Sequence, residues 1–286
     1  MIKSYKIRRR ITNGIVYVIL TILALIWVTP LAWLIMMSFS GENRVFMDHL
    51  IPNAWTFENY IKLFTDTAGA VQYPKWFLNT FIIAAVSCVL STICVLMVSY
   101  TFSRLRFKSR KKFINVGFIL GMFPGFLTMT VIYNLLNVVG LTRNIAGLIV
   151  VNVAGSGLGF AISKGFFDTV PRALDEAATI DGATKNQIFW KIILPMSKPI
   201  VVYTVLTSFT GPWADFIFPK LILADAVDQY TIAVGLWSMV SKPDYIDKYF
   251  LQFCAGSVIV AVPITALFLK LQNYYVEGVT GGAVKG

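Results

Sequence analysis

The sequence predicts an all-α membrane protein with six transmembrane helices and a cytoplasmic helix–turn–helix in the fourth connector, and three observations predict it. Hydrophobic residues make up 57% of the chain and charged residues only 14%, against about a quarter charged in an ordinary soluble domain. Six apolar stretches each reach the ~20 residues that a helix needs to cross the hydrocarbon core. Lysine and arginine gather in alternate connectors between those stretches. A chain with a mean hydropathy of +0.70 has too little polar surface to cover a soluble globule, and lipid covers it instead.

In chain order, a basic N-terminus over residues 1–13 leads into the first span, Gly14–Phe39. A basic segment before an apolar run is also the layout of a signal peptide. This run is too long for a typical signal core and has no small-x-small cleavage site, so it reads as an uncleaved span. The other spans are Trp76–Ser103, Phe113–Val138, Ile145–Phe167, Ile200–Leu223 and Leu251–Asn273, which makes 14–273 a single transmembrane domain. A Gly-rich tail occupies 274–286. Pro30, Pro124, Pro212 and Pro263 fall within or beside spans, where proline removes a backbone hydrogen bond and kinks the helix. Gly155-x-x-x-Gly159 in the fourth span reads as a close helix–helix contact rather than a binding feature. Cys88, Cys94 and Cys254 lie in apolar stretches and fit neither a disulfide framework nor a metal site. His49, the single histidine, has no Cys or His partner nearby in sequence and reads as a surface residue.

Charge sets the orientation. The N-terminus, Arg104–Lys112, 168–199 and the tail carry 5, 6, 4 and 1 Lys and Arg. The opposite connectors, Ser40–Lys75, Val139–Asn144 and Ala224–Phe250, carry 3, 1 and 2. Sixteen against six places both termini in the cytoplasm. The net charge of +11 belongs to this pattern, since its clusters abut apolar runs, and it does not mark a nucleic-acid-binding protein.

The fourth connector, 168–199, is longer than a turn requires and has helical grammar of its own. Pro171 can open a first helix, with Asp168 or Thr169 near its cap. Leu174, Ala177 and Ala178 then share a face, with Asp175 and Glu176 beside it. Asp181-Gly182 makes a turn, because glycine accepts backbone angles that other residues resist. Thr184 and Gln187 form a candidate capping box for a second helix carrying Ile188, Phe189, Ile192 and Ile193, which Pro195 stops. An alanine pair lets another protein's backbone approach closely, and a carboxylate at its edge can pair with a basic partner. A connector lying on lipid is the alternative, but such segments carry Lys and Arg on the polar face. Asp175, Glu176 and Asp181 crowd this one, which favours docking onto a protein.

Glu176-Ala177-Ala178, Gly182, Ile192 and Leu194-Pro195 stand at the spacing of the EAA motif, and the connector resembles that of ABC importer permeases. Pro52, Thr56, Asn59-Tyr60, Phe64 and Phe77-x-Asn79-Thr80 resemble the first external loop and second span of carbohydrate-uptake permeases. Tyr100-Thr-Phe102-Ser-Arg104-Leu-Arg106-Phe107 resembles the end of that span. Tyr230-Thr231-x-Ala233-Val234-Gly235 and the tail from Gly278 are similar to the MalG branch, the smaller permease of maltose/maltodextrin transporters. The resemblance implies a bacterial cytoplasmic-membrane protein that pairs with a second permease subunit, two ATP-binding subunits and an extracytoplasmic sugar-binding protein. It implies that Glu176–Gly182 is the coupling helix and that Gly281, Gly282 and Lys285 reach toward the ATPase. It also implies that Ala224–Phe250 faces the binding protein. ATP and magnesium belong to the partner subunits, since the chain has no G-x-x-x-x-G-K-[ST] phosphate loop and is non-catalytic.

Candidate sugar-pathway residues are Asn152, Trp213 and Asp215. A ring that stacks on the apolar face of a sugar, next to a carboxylate that accepts its hydroxyls, suits the task. A carboxylate in a span costs roughly 2.5–3.5 kcal/mol at the bilayer centre and faces the bundle interior or water. Asp215 supports either a direct sugar contact or the bundle itself. An ion-coupled transporter would show ionisable groups deep in several spans. An intramembrane enzyme would show a catalytic constellation there. The spans carry neither pattern.

Overall fold

In the described residues of the computed structural model (2–42, 50–65 and 71–280) the chain is helical, and it divides into two units. His49 and the tail residues Gly281, Gly282 and Lys285 lie outside the described residues.

The first unit comprises Met1–Val71 with Ser238–Ile259. Its long helix α1 (Ile2–Ser38) runs about 55 Å at 1.5 Å per residue. From Ile7 to Leu31 its apolar side chains are exposed on every side, the pattern of a helix solvated by lipid. Only its last turns pack: Trp33, Leu34 and Met37 meet Phe250, Leu251, Phe253 and Cys254. The short α2 (Glu58–Thr65) is tied to the end of α1 by the two residues of the Asn59-Tyr60 pair. The Asn59 amide donates to the carbonyls of Ser38 (3.1 Å) and Ser40 (2.8 Å), and the Tyr60 hydroxyl meets Ser38 Oγ at 2.7 Å. The Ser38 carbonyl that ends α1 thereby finds a donor that the helix itself does not supply.

The second unit comprises Gln72–Trp237 with Val260–Gly286. It contains α3 (Tyr73–Arg104), α4 (Arg110–Gly121), α5 (Gly125–Val138), α6 (Ile145–Ser156), α7 (Phe160–Thr169), α8 (Ala173–Ile180), α9 (Lys185–Ile188), α10 (Leu194–Met196), α11 (Lys198–Ala214) and α12 (Ile217–Leu223). The short α13 (Ile232–Met239) and the long α14 (Pro243–Thr280) follow, of which only Ile232–Trp237 and the part from Val260 belong to this unit. Helix α3 is the axis against which α6, α7 and α11 pack. The middle of its buried face is rich in small and hydroxylic residues (Ala84, Ser87, Ser91, Thr92, Ser99), between larger ones toward each end such as Trp76 and Tyr100, while Leu78, Phe81, Val89 and Met97 are exposed. Small residues let neighbouring backbones approach, and large apolar ones meet lipid. The Ser99 hydroxyl reaches the Phe160 carbonyl of α7 at 3.1 Å.

Among the described residues, four helices are long and apolar enough to cross a membrane: Ile7–Ser38, Tyr73–Arg104, Ile145–Thr169 and Pro243–Gln272. They match the first, second, fourth and sixth expected spans. The third expected span is broken between α4 and α5, because Pro124 has no N–H and disfavours helical geometry at Phe123 before it. The fifth is broken at Asp215-Phe216, just beyond Pro212, which α11 accommodates. The fourth tightens into a 3₁₀ turn at Gly157–Gly159 and continues. Gly155 and Gly159 make no close contact within the chain, as a methyl on either would meet open space. The close glycine packing lies elsewhere: a methyl at Gly235 would enter the ring of Trp76. Helix α14 begins at Pro243, before the expected Leu251, and its backbone stays helical to Thr280, through the first part of the expected tail.

Candidate functional site

The fourth connector forms two helical segments around one turn, but its faces divide differently from the expected pattern. Leu174 and Ala178 point into a core built from Leu96, Tyr100, Phe167, Ile188, Phe189 and Ile193, while Ala177 is exposed beside Glu176. The alanine pair is therefore split: Ala178 belongs to the chain's own interior and Ala177 to its surface. Ile180 is 86% exposed, so the outer face of α8 presents a carboxylate, a methyl and a bare aliphatic side chain.

The turn has defined chemistry. Gly182 stands at φ +82°, in the left-handed region. Its N–H donates to Thr179 O (3.1 Å), and Ala183 N–H donates to Ala178 O (2.9 Å). This pair of bonds is a Schellman motif, closed by glycine, that satisfies the carbonyls at the end of α8. Asp181 is the exposed residue just before that glycine. Thr184 then caps the second segment as the spacing predicts. Its Oγ1 accepts from Gln187 N (3.3 Å), and Gln187 Oε1 accepts from Thr184 N (2.8 Å). Pro195 stands one residue before the end of the helix. The preceding turn widens to a π-helix over Phe189–Ile193, which includes Ile192, and α10, with Leu194 and Pro195, ends at Met196, beyond which α11 departs at a bend of 87°. The wider turn accommodates the carbonyl that a proline ring would otherwise crowd.

The strongest polar anchor in this region joins residues distant in sequence. Arg104, the last residue of α3, is 4% exposed and meets Asp175 of α8 at 3.0 Å. Its other terminal nitrogen donates to Phe167 O (2.6 Å) and Val170 O (2.7 Å), the carbonyls that end α7. Arg104 Nε and Asp175 Oδ1 are buried without partners. Beside this pair, Arg172 donates to Ser103 O (3.3 Å), and the Tyr100 hydroxyl donates to Lys185 O (3.2 Å). Ser103 and Lys164 both donate to Asp168, each at 2.6 Å. A cavity of about 820 Å³ opens between α8 and the residues after α3, with Arg106, Arg172, Glu176 and Lys185 in its wall. By sequence alone Arg104 counts among the orientation-setting charges and Asp175 stands beside the docking face. The structure gives both to an internal clamp.

Each pathway candidate has neighbours within the chain itself. Trp213 is 3% exposed, and its ring lies 5.1 Å from that of Phe77 and 6.1 Å from that of Phe209. Its Nε1 has no partner. The indole face is occupied by protein. Asp215 sits at the break after α11, with its carboxylate toward the Phe218 N–H of α12, a supporting position. Asn152 is half-buried in α6, and its carbonyl receives the Ser91 hydroxyl at 3.4 Å.

Residues 96–275 match the family described as "Binding-protein-dependent transport system inner membrane component". The chain belongs to this family. It is a non-catalytic permease subunit of the ABC type, resident in the inner membrane, and the EAA residues of the fourth connector are consistent with that membership. The permease is 34% identical to the galactooligosaccharides transport system permease protein GanQ of Bacillus subtilis, with 100% of each chain covered. It is also 34% identical to the maltodextrin transport system permease protein MdxG of the same organism, over 94% of this chain and 95% of the relative. Its fold matches a chain of a bacterial ABC transporter involved in the import of the acidic polysaccharide alginate. The TM-score is 0.78 at 22% identity, covering 93% of this chain and 97% of that one.

Proposed function

We propose that this permease is one half of the translocation pathway of an ATP-driven oligosaccharide importer, and that α8 is its coupling helix. In this reading the broken helices α4–α5 and α11–α12 form the third and fifth crossings, giving six spans with both termini in the cytoplasm. A second permease completes the pathway, two ATP-binding subunits supply ATP and magnesium, and an extracytoplasmic binding protein delivers the sugar. The tail residues Gly281, Gly282 and Lys285 extend toward the ATPase. Maltodextrins are the first substrates to test and galactooligosaccharides the second, since relatives at the same 34% identity carry each name.

The observation that carries the coupling assignment is the two-sidedness of α8. Its inner face is fixed by Asp175, Leu174 and Ala178, and its outer face leaves Glu176, Ala177 and Ile180 exposed. A rigidly backed surface with one charge and one bare aliphatic group suits insertion into a protein cleft. The test is Glu176→Lys and Gly182→Val in the complete importer, reconstituted with labelled maltodextrin or galactooligosaccharide. Both variants should insert and pair with the second permease, yet lose binding-protein-stimulated ATPase and uptake, with weaker retention of the ATP-binding subunits. Wild-type uptake together with a stable complex in both variants would overturn the assignment.

A further inference from the structure

The outer face of α8 explains docking, but not how a displacement of so short a helix reaches the spans. Helix α8 has eight residues and ends in a glycine turn, so by itself it is a weak lever. Its apolar side adds only Leu174 and Ala178 to the core. The charged tie is Asp175, and it runs to the terminal residue of α3, the helix on which α6, α7 and α11 pack.

We propose that Arg104 is the positioning residue that makes the end of α3, the end of α7 and α8 move as one body; this rests on the coupling reading of α8. The guanidinium does this by its shape. One terminal nitrogen holds Asp175 of α8, and the other holds both Phe167 O and Val170 O at the end of α7. A planar fork with fixed donors serves three acceptors in three directions, whereas an ammonium on a flexible stem is a point charge that cannot span them together. The group is 4% exposed although it and Asp175 border the open cavity, so a lost partner leaves a largely desolvated charge. With Arg104 in place, a push on α8 is delivered to α3 and α7. With a smaller group there, α8 still caps, turns and docks through residues Arg104 does not touch, but the push is absorbed at the joint.

The experiment uses the complete importer in proteoliposomes with its binding protein and labelled oligosaccharide, and reads three quantities: retained ATP-binding subunits, stimulated ATPase, and sugar imported per ATP hydrolysed. Arg104→Lys should keep the ATP-binding subunits and continue to hydrolyse ATP, while sugar per ATP falls about tenfold, the scale on which residues between coupled sites act. Asp175→Asn, which keeps the shape and loses the charge, should fall less. The exchange of Arg104→Asp with Asp175→Arg restores opposite charges but turns a carboxylate toward Phe167 O and Val170 O, so it should not restore the ratio. Recovery in the exchanged pair would reduce Arg104 to a simple ion-pair partner and overturn the proposal. So would an Arg104→Lys variant with the wild-type ratio, or one whose ATPase and uptake decline in proportion. Glu176→Lys, run in parallel, separates the two readings. If it abolishes uptake while Arg104→Lys keeps the wild-type ratio, the positioning role alone fails. If it leaves uptake intact, the coupling assignment of α8 fails as well.

Discussion

At its N-terminal end α3 holds the Val227–Gly235 segment with neutral groups, whereas at its C-terminal end it holds α8 with a charged one. Trp76 Nε1 donates to Val227 O (2.9 Å), and the Asn79 amide donates to Asp228 O (3.0 Å) and Tyr230 O (3.1 Å). Thr80 Oγ1 accepts from Ile232 N (2.7 Å) and donates to Trp76 O (3.1 Å). The backbone of Gly235 lies directly on the Trp76 ring. Every side-chain donor of Trp76, Asn79 and Thr80 is used, so the segment is held at several points at once. At the other end, Arg104 Nε and Asp175 Oδ1 remain buried and unpartnered within the same ion pair. An ion pair with an unused donor and an unused acceptor is incompletely satisfied, at the cost of desolvated groups left without partners. One end of α3 is built as a floor and the other as a joint.

The largest expected effect comes from breaking the floor. Gly235→Ala would place a methyl inside the ring of Trp76, which is itself completely buried and has nowhere to go. Overpacking of a rigid site costs on the order of 3 kcal/mol. The purified variant should show a lowered melting temperature in detergent and a reduced yield. A variant as stable as the wild type would mean that the segment can lift from α3, and the contrast between the two ends would collapse.

A smaller effect is expected at the joint's own turn. A methyl at Gly182 meets open space, so any cost of Gly182→Ala comes from the left-handed φ alone, about 1–2 kcal/mol. Gly182→Asn should be milder, because asparagine tolerates that region. Uptake should therefore rank wild type, then asparagine, then alanine, with the permease equally abundant in all three. Equal loss in both variants would point to a contact made by the glycine surface rather than to its backbone angle.

Features set by neighbours in sequence were legible, and those set by distant residues were not. The glycine turn and the Thr184/Gln187 capping box involve residues within five positions of one another, and the sequence pattern marks them directly. Long spans follow from hydropathy because lipid exposure demands an apolar surface all round, as α1 has. Proline marked Pro124 as a disturbance, but whether it kinks or breaks a helix depends on compensation by neighbours. The same residue type inside α11, Pro212, is absorbed, and the break falls at Asp215-Phe216 instead. Ala177 and Ala178 look alike in sequence, and only packing decides which faces inward. Arg104 and Asp175 stand 71 positions apart, and Arg104 sits in a basic cluster whose charge count already had a sufficient explanation in topology. Nothing local to either residue announces the clamp.

The smallest effect sharpens the comparison from the other side, because the N-terminal end of α3 also carries one charged contact. Lys75 meets Asp228 at 3.6 Å, but the two side chains are 50% and 51% exposed, so this pair differs from Arg104–Asp175 in burial rather than in type. The Gln229 side-chain amide, which donates to Asp228 Oδ2 at 2.8 Å, holds the Asp228 carboxyl below its ordinary value of 3.8, and Lys75 adds to the effect. A carboxyl depressed in the folded state contributes stability above its ordinary value and loses that contribution as pH falls through the folded value. Water and salt screen a contact this exposed, so its contribution should be slight. Melting temperatures of the wild type and Asp228→Asn, compared from about pH 6 to about pH 2 at low and high salt, should differ marginally at the upper end. The difference should shrink to nothing as pH falls below 3.8, and high salt should remove only the share that Lys75 supplies, not the share of the Gln229 hydrogen bond. A difference that persisted in acid would show that Asp228 acts through its shape in the floor. Burial would then no longer be what separates the two charged contacts of α3.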